Sequence, residues 1–377
     1  MSDWTETTIG EVATVFDGPH ATPRKTGEGP WFLSISSLEK GRLNLQESAH
    51  VSEEDFEKWT RRVTPQQDDV LFSYETRLGE AALMPGGIRA CLGRRMGILR
   101  PKRNVVDPRF LLYSYLGPEF QGTIAARAVH GATVDRIPLV NLPEWPLRVP
   151  ALGEQRAIVS VLAALDDKIA VNEDTARVCR ELARALFRQA AMDPGGRSVA
   201  LSDIAIHKPG KYLSKDAYTA GGPYPVYGSN SVMGSYTEYL YEGRFSVLAR
   251  IGSNCGSTRW SESPAWVNNN ASAIVPKNPA DAMVLRYALE TVNMSTHRAG
   301  SGQPFIRVES LMASTVAVPA PEDQGRLTAR LEPLARREAA AEAENPVLAQ
   351  LRDTLLVQLL SGRLRVRDAE KTIGDHV

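Results

Sequence analysis

Apolar residues fall into two long periodic runs in this chain, each a narrow stripe along an otherwise polar segment. In the first, Ile158, Leu162, Leu165, Ile169, Asn172, Ala176, Cys179, Ala183, Leu186 and Ala190 step by fours and threes, which predicts a helix from about Leu152 to Met192. Asp193-Pro-Gly-Gly196 ends it, because proline cannot continue the amide ladder and glycine supplies the turn. The second run begins at Glu322 and carries Leu327, Leu331, Leu334, Ala341, Leu348, Leu355 and Leu359 as far as Ser361-Gly362. Pro346 interrupts it, and the missing amide and the ring clash predict a kink or break near Asn345. A stripe of about two positions in seven has the width of a coiled-coil seam, so the two helices are expected to pair antiparallel. The other way to bury such a stripe is to lay each helix on its own globular unit. Asn172 suits either a register-fixing polar residue or a solvated break in the packing.

The remaining sequence changes period. Short apolar runs such as Trp31-Phe-Leu-Ser-Ile35 and Asp69-Val-Leu-Phe-Ser73 are separated by glycine and proline turns, and Pro108 to Leu116 has a helical pattern. The same order returns with Tyr224-Pro-Val-Tyr227, Ser246-Val-Leu-Ala249 and a helical stretch from Asp281 to Val292, opened by Leu201-Ser-Asp-Ile-Ala205 as the first is by Ile9-Gly-Glu-Val-Ala13. The expectation is an α+β chain with two similar, mixed β-rich domains. They would occupy residues 1–151 and 194–320, with spacer helices at 152–193 and 321–362 and a tail at 363–377.

The two halves also align directly. Residues 131–165 lie over 300–334 without a gap at a constant offset of 169, pairing Gly131 with Gly300, Ile137 with Ile306, Leu142 with Leu311, Val149-Pro150 with Val318-Pro319, and Gln155 with Gln324. Leu162 and Leu165 fall on Leu331 and Leu334. A duplicated unit does one thing at two places, and the commonest long, regular partner for that is a nucleic acid. A spacer helix of about 35 residues spans roughly 50 Å, enough to seat two domains about one DNA turn apart, roughly 34–36 Å.

Composition adjusts this picture without overturning it. The chain has 377 residues, more than one core usually supports. The three cysteines, Cys91, Cys179 and Cys255, are too scattered for a disulfide framework or a zinc site and read as reduced core thiols. Neither a basic-then-apolar leader nor a membrane-length apolar run is visible, so the expected location is the cytoplasm. Forty-four basic residues balance forty-four acidic ones, which weighs against a nucleic-acid binder acting alone. The distribution is less even. Arg89, Arg94, Arg95, Arg100, Lys102 and Arg103 lie between Gly86 and Arg103 with no acid, and Arg244, Arg250 and Arg259 lie between Gly243 and Ser261, so a neutral chain can still carry basic faces.

Catalytic chemistry has no foothold in the pattern. The six histidines show no metal-ligand spacing, and each reads as a surface or hydrogen-bonded residue. Gly252-Ser-Asn-Cys-Gly256 and Gly300-Ser-Gly302 are turns, not phosphate loops. There is no GxSxG elbow, and Asn268-Asn-Asn270 lacks the prolines an amino-methyltransferase would need to hold a flipped base.

Val149-Pro-Ala-Leu-Gly-Glu-Gln-Arg-Ala-Ile158 with Leu165-Asp-Asp-Lys-Ile169, and Val318-Pro-Ala-Pro-Glu-Asp-Gln324 with Leu359-Leu-Ser-Gly-Arg-Leu364, resemble the specificity (S) subunit of type I restriction-modification systems. Asp69-Val-Leu-Phe-Ser73 and Tyr224-Pro-Val-Tyr-Gly228 look like parts of its target-recognition domains. The resemblance implies a non-catalytic DNA-recognition subunit whose two domains each read half of a split, asymmetric site in double-stranded DNA. It implies helices that set the gap and dock two methyltransferase (M) subunits, with restriction/translocase (R) subunits joining that core. S-adenosylmethionine and ATP are then expected on the partner subunits, with no cofactor or metal on this chain and no membrane contact. Pro346 and the stretch from Glu338 to Glu344 depart from the family's more apolar helix. A methylation-only or type IIB-like system, or an adaptor whose duplicated domains bind protein, are the alternative readings.

Base readout needs Arg, Lys, Asn, Gln or Ser presented from loops, with further cations on phosphates. The candidates are Arg24, Lys25, Arg77, Arg94 and Arg95 in the first domain, and Lys208, Lys211, Ser229, Asn230, Arg250, Asn254 and Arg259 in the second. Any one of them is equally readable as a solvated surface residue or turn former.

Overall fold

A computed structural model describes residues 4–19, 23–131, 134–229 and 231–369. The chain divides into two compact units, one comprising Met1–Ala170 with Asn345–Val377, the other Val171–Glu344. Each unit holds one β-rich body and a stretch of both long helices.

In the first unit, strands Ala13–Asp17, Met96–Pro101, Val70–Ser73 and Ala81–Leu83 form an antiparallel sheet in that order. The period of two in Val70–Ser73 serves two cores. Val70 and Phe72 pack with Phe110, Tyr115 and the long helices, while Leu71 packs on the opposite face with Leu33, Leu92 and Ile98. A sheet covered on both faces needs apolar residues at successive positions, which is why this run does not alternate with polar residues. The helix Pro108–Leu116 lies over the first face. Asp107 caps it by accepting from the amides of Arg109 and Phe110 at 3.0 and 3.2 Å, with Pro108 at the first position, where no amide is needed. Phe72, Tyr115, Phe120 and Trp145 continue the core as an aromatic chain with centroid spacings of 5.7, 5.1 and 6.2 Å.

The second unit repeats the plan with different residues. Its sheet runs Ala205–Pro209, Ala271–Pro276, Phe245–Ala249, Thr258–Ser261, again antiparallel, and the helix Ala282–Glu290 lies where Pro108–Leu116 does in the first unit. In both units a short strand also pairs in parallel beside the sheet: Thr26–Leu33 with Ala90–Leu92, and Tyr224–Tyr227 with Trp266–Val267.

The repeat read from sequence has a structural cause. Pro146–Val149 and Thr315–Val318 close each unit by pairing antiparallel with its opening strand, Thr5–Thr8 or Arg197–Ala200. The chain then enters a long helix, Leu152–Met192 or Pro321–Leu360. A Cβ on Gly131 would lie 2.6 Å from the carbonyl oxygen of Val134, and one on Gly300 would lie 2.6 Å from that of Gln303, so both loops exclude a side chain at the same point. Gln155 and Gln324 each donate Nε2 to the carbonyl of the preceding proline, Pro150 at 2.8 Å and Pro319 at 3.0 Å.

The long helices pack against each other antiparallel, residue numbers climbing on one as they fall on the other. In the first unit Arg352 Nη1 meets Asp166 Oδ1 at 2.8 Å. In the second Asn172 Nδ2 donates to Glu344 Oε2 at 2.8 Å, and Arg180 Nε meets Glu338 Oε1 at 2.7 Å. Ile158, Leu162, Leu165, Ile169 and Asn172 on the first helix are buried, as are Leu327, Leu331, Leu348, Leu355 and Leu359 on the second. Leu186 and Leu334 are only partly buried, beside the fully buried Phe187 and Ala335.

Two expectations need correction. Of the kink or break expected near Asn345 the break is absent: the helix Pro321–Leu360 runs on through Pro346, whose ring is exposed. The alternative packings also prove compatible. In the first unit Val161 and Ala163 are buried alongside the heptad positions, and Ile158 to Ile169 share one core with Phe110 and Leu348 to Leu359. The helix there faces both its partner and its own body. Tyr113 OH donates to Asp166 Oδ2 at 2.7 Å, burial and the neighbouring carboxylate pushing its phenol well up, and Arg42 Nη2 reaches the Asp166 carbonyl at 2.5 Å.

Candidate nucleic-acid interface

At one end of the sheet in the first unit three loops converge. The loop after Val70–Ser73 is bonded to the turn before Met96–Pro101 by Tyr74 N donating to Arg95 O at 3.0 Å, and Ile137 N donates to Tyr74 O at 2.8 Å. The second unit builds the same junction with Arg250 N to Asn270 O at 3.0 Å and Ile306 N to Arg250 O at 2.9 Å. Loops at the end of a rigid sheet can vary in sequence without disturbing the core.

The first-unit candidates divide sharply at this end. Arg77 is spent inside the protein, Nη1 on the Ile35 carbonyl at 3.0 Å and Nη2 on Glu80 at 3.1 Å. Arg95 is left-handed, φ +69°, and its guanidinium holds Glu75 at 3.0 Å and Thr76 Oγ1 at 3.2 Å, Thr76 itself being left-handed at +69°. Backbone of that kind is costly away from glycine, and it persists where surrounding contacts fix it. Arg94, between Gly93 and Arg95, is exposed and has no polar partner among the described residues. Arg24 and Lys25 are exposed on the approach to Thr26–Leu33.

The acid-free run from Gly86 to Arg103 turns out not to be a basic face. Arg89 pairs with Glu53 at 2.8 Å, Arg100 with Asp69 at 2.8 Å and Arg103 with Asp68 at 2.7 Å, while Lys102 Nζ donates to the Gly10 carbonyl at 2.7 Å. With Arg95 on Glu75 as well, Arg94 is the one cation of the six left without a polar partner among the described residues. Acids distant in sequence pair with the other four arginines, which one-dimensional counting cannot register.

In the second unit Arg250 is half-buried at the loop junction, and its Nε is without a partner among the described residues. Burial, then the Arg250 charge, lowers the pKa of nearby His207. Ser229 Oγ accepts from Asn270 Nδ2 at 3.5 Å. Lys208 places its ammonium 5.5 Å from the Tyr241 ring, Lys211 is exposed, and the carbonyl of Asn254 accepts from Ser257 N at 3.0 Å to close its turn. Arg259 belongs elsewhere: it lines a cavity of about 340 Å³ with Arg180, Arg184, Glu338 and Glu342 of the helices. Asn230 lies outside the described residues. The loop ends also present exposed Arg136, Asn269, Arg298 and Gln303, which the sequence reading passed over. Gln303 lies opposite Val134 within the aligned repeat, so for that residue a mismatch between the halves was the available signal.

Among the described residues no cluster of three or more His, Cys, Asp or Glu side chains is arranged to hold a metal ion, and no helix is long and apolar enough to cross a membrane. Cys91 and Cys255 are buried free thiols, and burial pushes Cys91 up to about 12.

Two β-rich bodies of one plan, each ending in an open loop cluster and leading into a long helix, define a duplicated recognition scaffold. The chain belongs to the family described as type I restriction modification DNA specificity domain, whose model matches twice, over residues 1–177 and 197–348. A putative type I restriction enzyme specificity subunit of Methanocaldococcus jannaschii is 23% identical over 198 residues, a match that takes in 50% of this chain and 45% of that protein. The chain thus spans about half the length of this curated relative. The crystal structure of the S subunit of a type I restriction-modification system from M. genitalium shares the fold, with a TM-score of 0.67 at 20% identity over 95% of this chain and 96% of that one.

Proposed function

We propose that the chain is the sequence-reading subunit of a type I restriction-modification assembly, in which residues 1–151 and 194–320 act as target-recognition domains on the two halves of a split, asymmetric site. The observation that carries this reading is the pair of equivalent loop junctions, built on the same backbone bonds but bearing different side chains. One scaffold with two loop sets suits two different half-sites. Arg24, Lys25, Arg94, Lys211 and Arg250 are the cations we assign to phosphate or base-edge contacts, whereas Arg77 and Arg95 act as braces and Arg259 lines the cavity beside the helices.

The two long helices, of 41 and 40 residues, set the spacing between half-sites and dock two methyltransferase subunits. Val171, Val178 and Leu182, 57%, 51% and 46% exposed, lie on one helical face by their spacing and supply an apolar strip for such docking. Restriction/translocase subunits join through that core, and S-adenosylmethionine and ATP bind the partners. The balanced net charge fits an assembly in which partners share the phosphate contacts. Copurified with its methyltransferase partner, the chain should retain and direct methylation of duplexes carrying a split site; an assembled complex that binds no duplex from a random pool refutes the reading.

A further inference from the structure

Equivalent turns in the two units differ at one residue whose chemistry is left over. In the first unit Gly93-Arg94-Arg95 joins Ala90–Leu92 to Met96–Pro101; in the second Asn268-Asn269-Asn270 joins Trp266–Val267 to Ala271–Pro276. Both turns are pinned at each end. Gly93 N donates to Leu33 O at 2.6 Å and Asn268 N to Tyr227 O at 2.8 Å, while Arg95 O and Asn270 O accept the amides of Tyr74 and Arg250, each at 3.0 Å. The flanking side chains are engaged too. Arg95 holds Glu75, Asn270 reaches Ser229, and Asn268 Oδ1 accepts from Asn269 N at 2.7 Å while its Nδ2 donates to Leu213 O at 3.2 Å. Only the middle residue of each turn, Arg94 or Asn269, presents an exposed side chain with no polar partner among the described residues.

A guanidinium matches the O6 and N7 acceptors of guanine in the major groove, and a carboxamide matches the N6 donor and N7 acceptor of adenine. Both side chains can also hydrogen-bond a phosphate; the roles separate because a phosphate contact acts alike on all sequences, whereas a base-edge contact acts at one position. The equivalent sites hold two different two-point hydrogen-bonding groups, on backbone already fixed and so at little ordering cost.

We propose that Arg94 and Asn269 are equivalent specificity-determining residues, Arg94 reading a guanine in the first half-site and Asn269 an adenine in the second. This rests on the DNA-recognition reading above. The test binds the full chain, with its methyltransferase partner, to a pool of random duplexes and sequences what is retained. Arg94→Asn should move one position of one half-site from G towards A, and Asn269→Arg should move one position of the other half from A towards G. Each swap should change preference roughly tenfold or more at that position and leave all other positions as in the wild type. Arg94→Lys, which keeps the charge but not the fork, should relax the guanine preference. A wild-type consensus unchanged by both swaps overturns the proposal alone. So does uniform weakening across all sequences with a shallower salt dependence, the mark of a phosphate contact. A wild-type complex that enriches no sequence overturns DNA recognition itself and this proposal with it.

Discussion

Gln155 and Gln324 occupy matching places in the two repeats but carry different weight. Gln155 is 1% exposed, and it donates to Pro150 O and Val105 O while accepting the amide of Asp107, which ties the helix start to the loop before Pro108–Leu116. Among the described residues Gln324 makes the proline bond without those two loop bonds. At about 1 kcal/mol per net hydrogen bond, more where a buried partner is orphaned, Gln155→Ala should cost about 3 kcal/mol and Gln324→Ala about 1 kcal/mol. Urea titration of the two variants measures the difference, and equal losses would show that the shared proline bond dominates both sites. The glutamines were visible in the sequence as a repeated letter. Their unequal roles were not, because the partners of Gln155 lie some fifty residues away.

Among the elements, the long helices were the most legible, since a stripe with a period near 3.5 has few ways to be buried. At Pro346 the local rule allowed a kink or a break, and the helix runs on without a break, the ring lying on an exposed side. The exposed proline still removes one amide bond, so Pro346→Ala should stabilise the chain by about 2 kcal/mol, seen as a raised denaturation midpoint; an unchanged midpoint would mean that the lost hydrogen bond is replaced by water. The spacing role is tested by adding one heptad to each helix at facing positions. That lengthens each by roughly 10 Å, about three base pairs at about 3.4 Å each. The gap between preferred half-sites should grow accordingly, and a constant gap would remove the ruler role. Phe187 explains a smaller miss. It sits one residue beyond Leu186, and only the packed neighbours, Val284, Tyr287 and Leu331 in the same core, show which of the two turns inward.

For the whole molecule, acid-free runs proved a poor guide to basic faces, because most cations of the first run pair with acids that the fold brings to them. A recognition complex should nonetheless bind DNA with the logarithm of its affinity falling linearly in log salt, at a slope of about −0.9 per phosphate neutralised. Fluorescence anisotropy on a split-site duplex across salt concentrations measures this. A flat dependence favours the protein-binding adaptor instead, since contacts between proteins release few counterions.

By itself the sequence determined the duplication, the α+β class, the two long helices and the places where each body hands over to a helix. These follow from periodicity and from residues whose local geometry admits few substitutes, such as Gly131 and Gly300. The tertiary structure alone decided which cations are spent on internal acids and which stay open, and it placed Arg94 and Asn269 at equivalent points of two turns. Strand pairing and ion pairs join residues far apart in the chain, so their outcome depends on packing that no local pattern encodes.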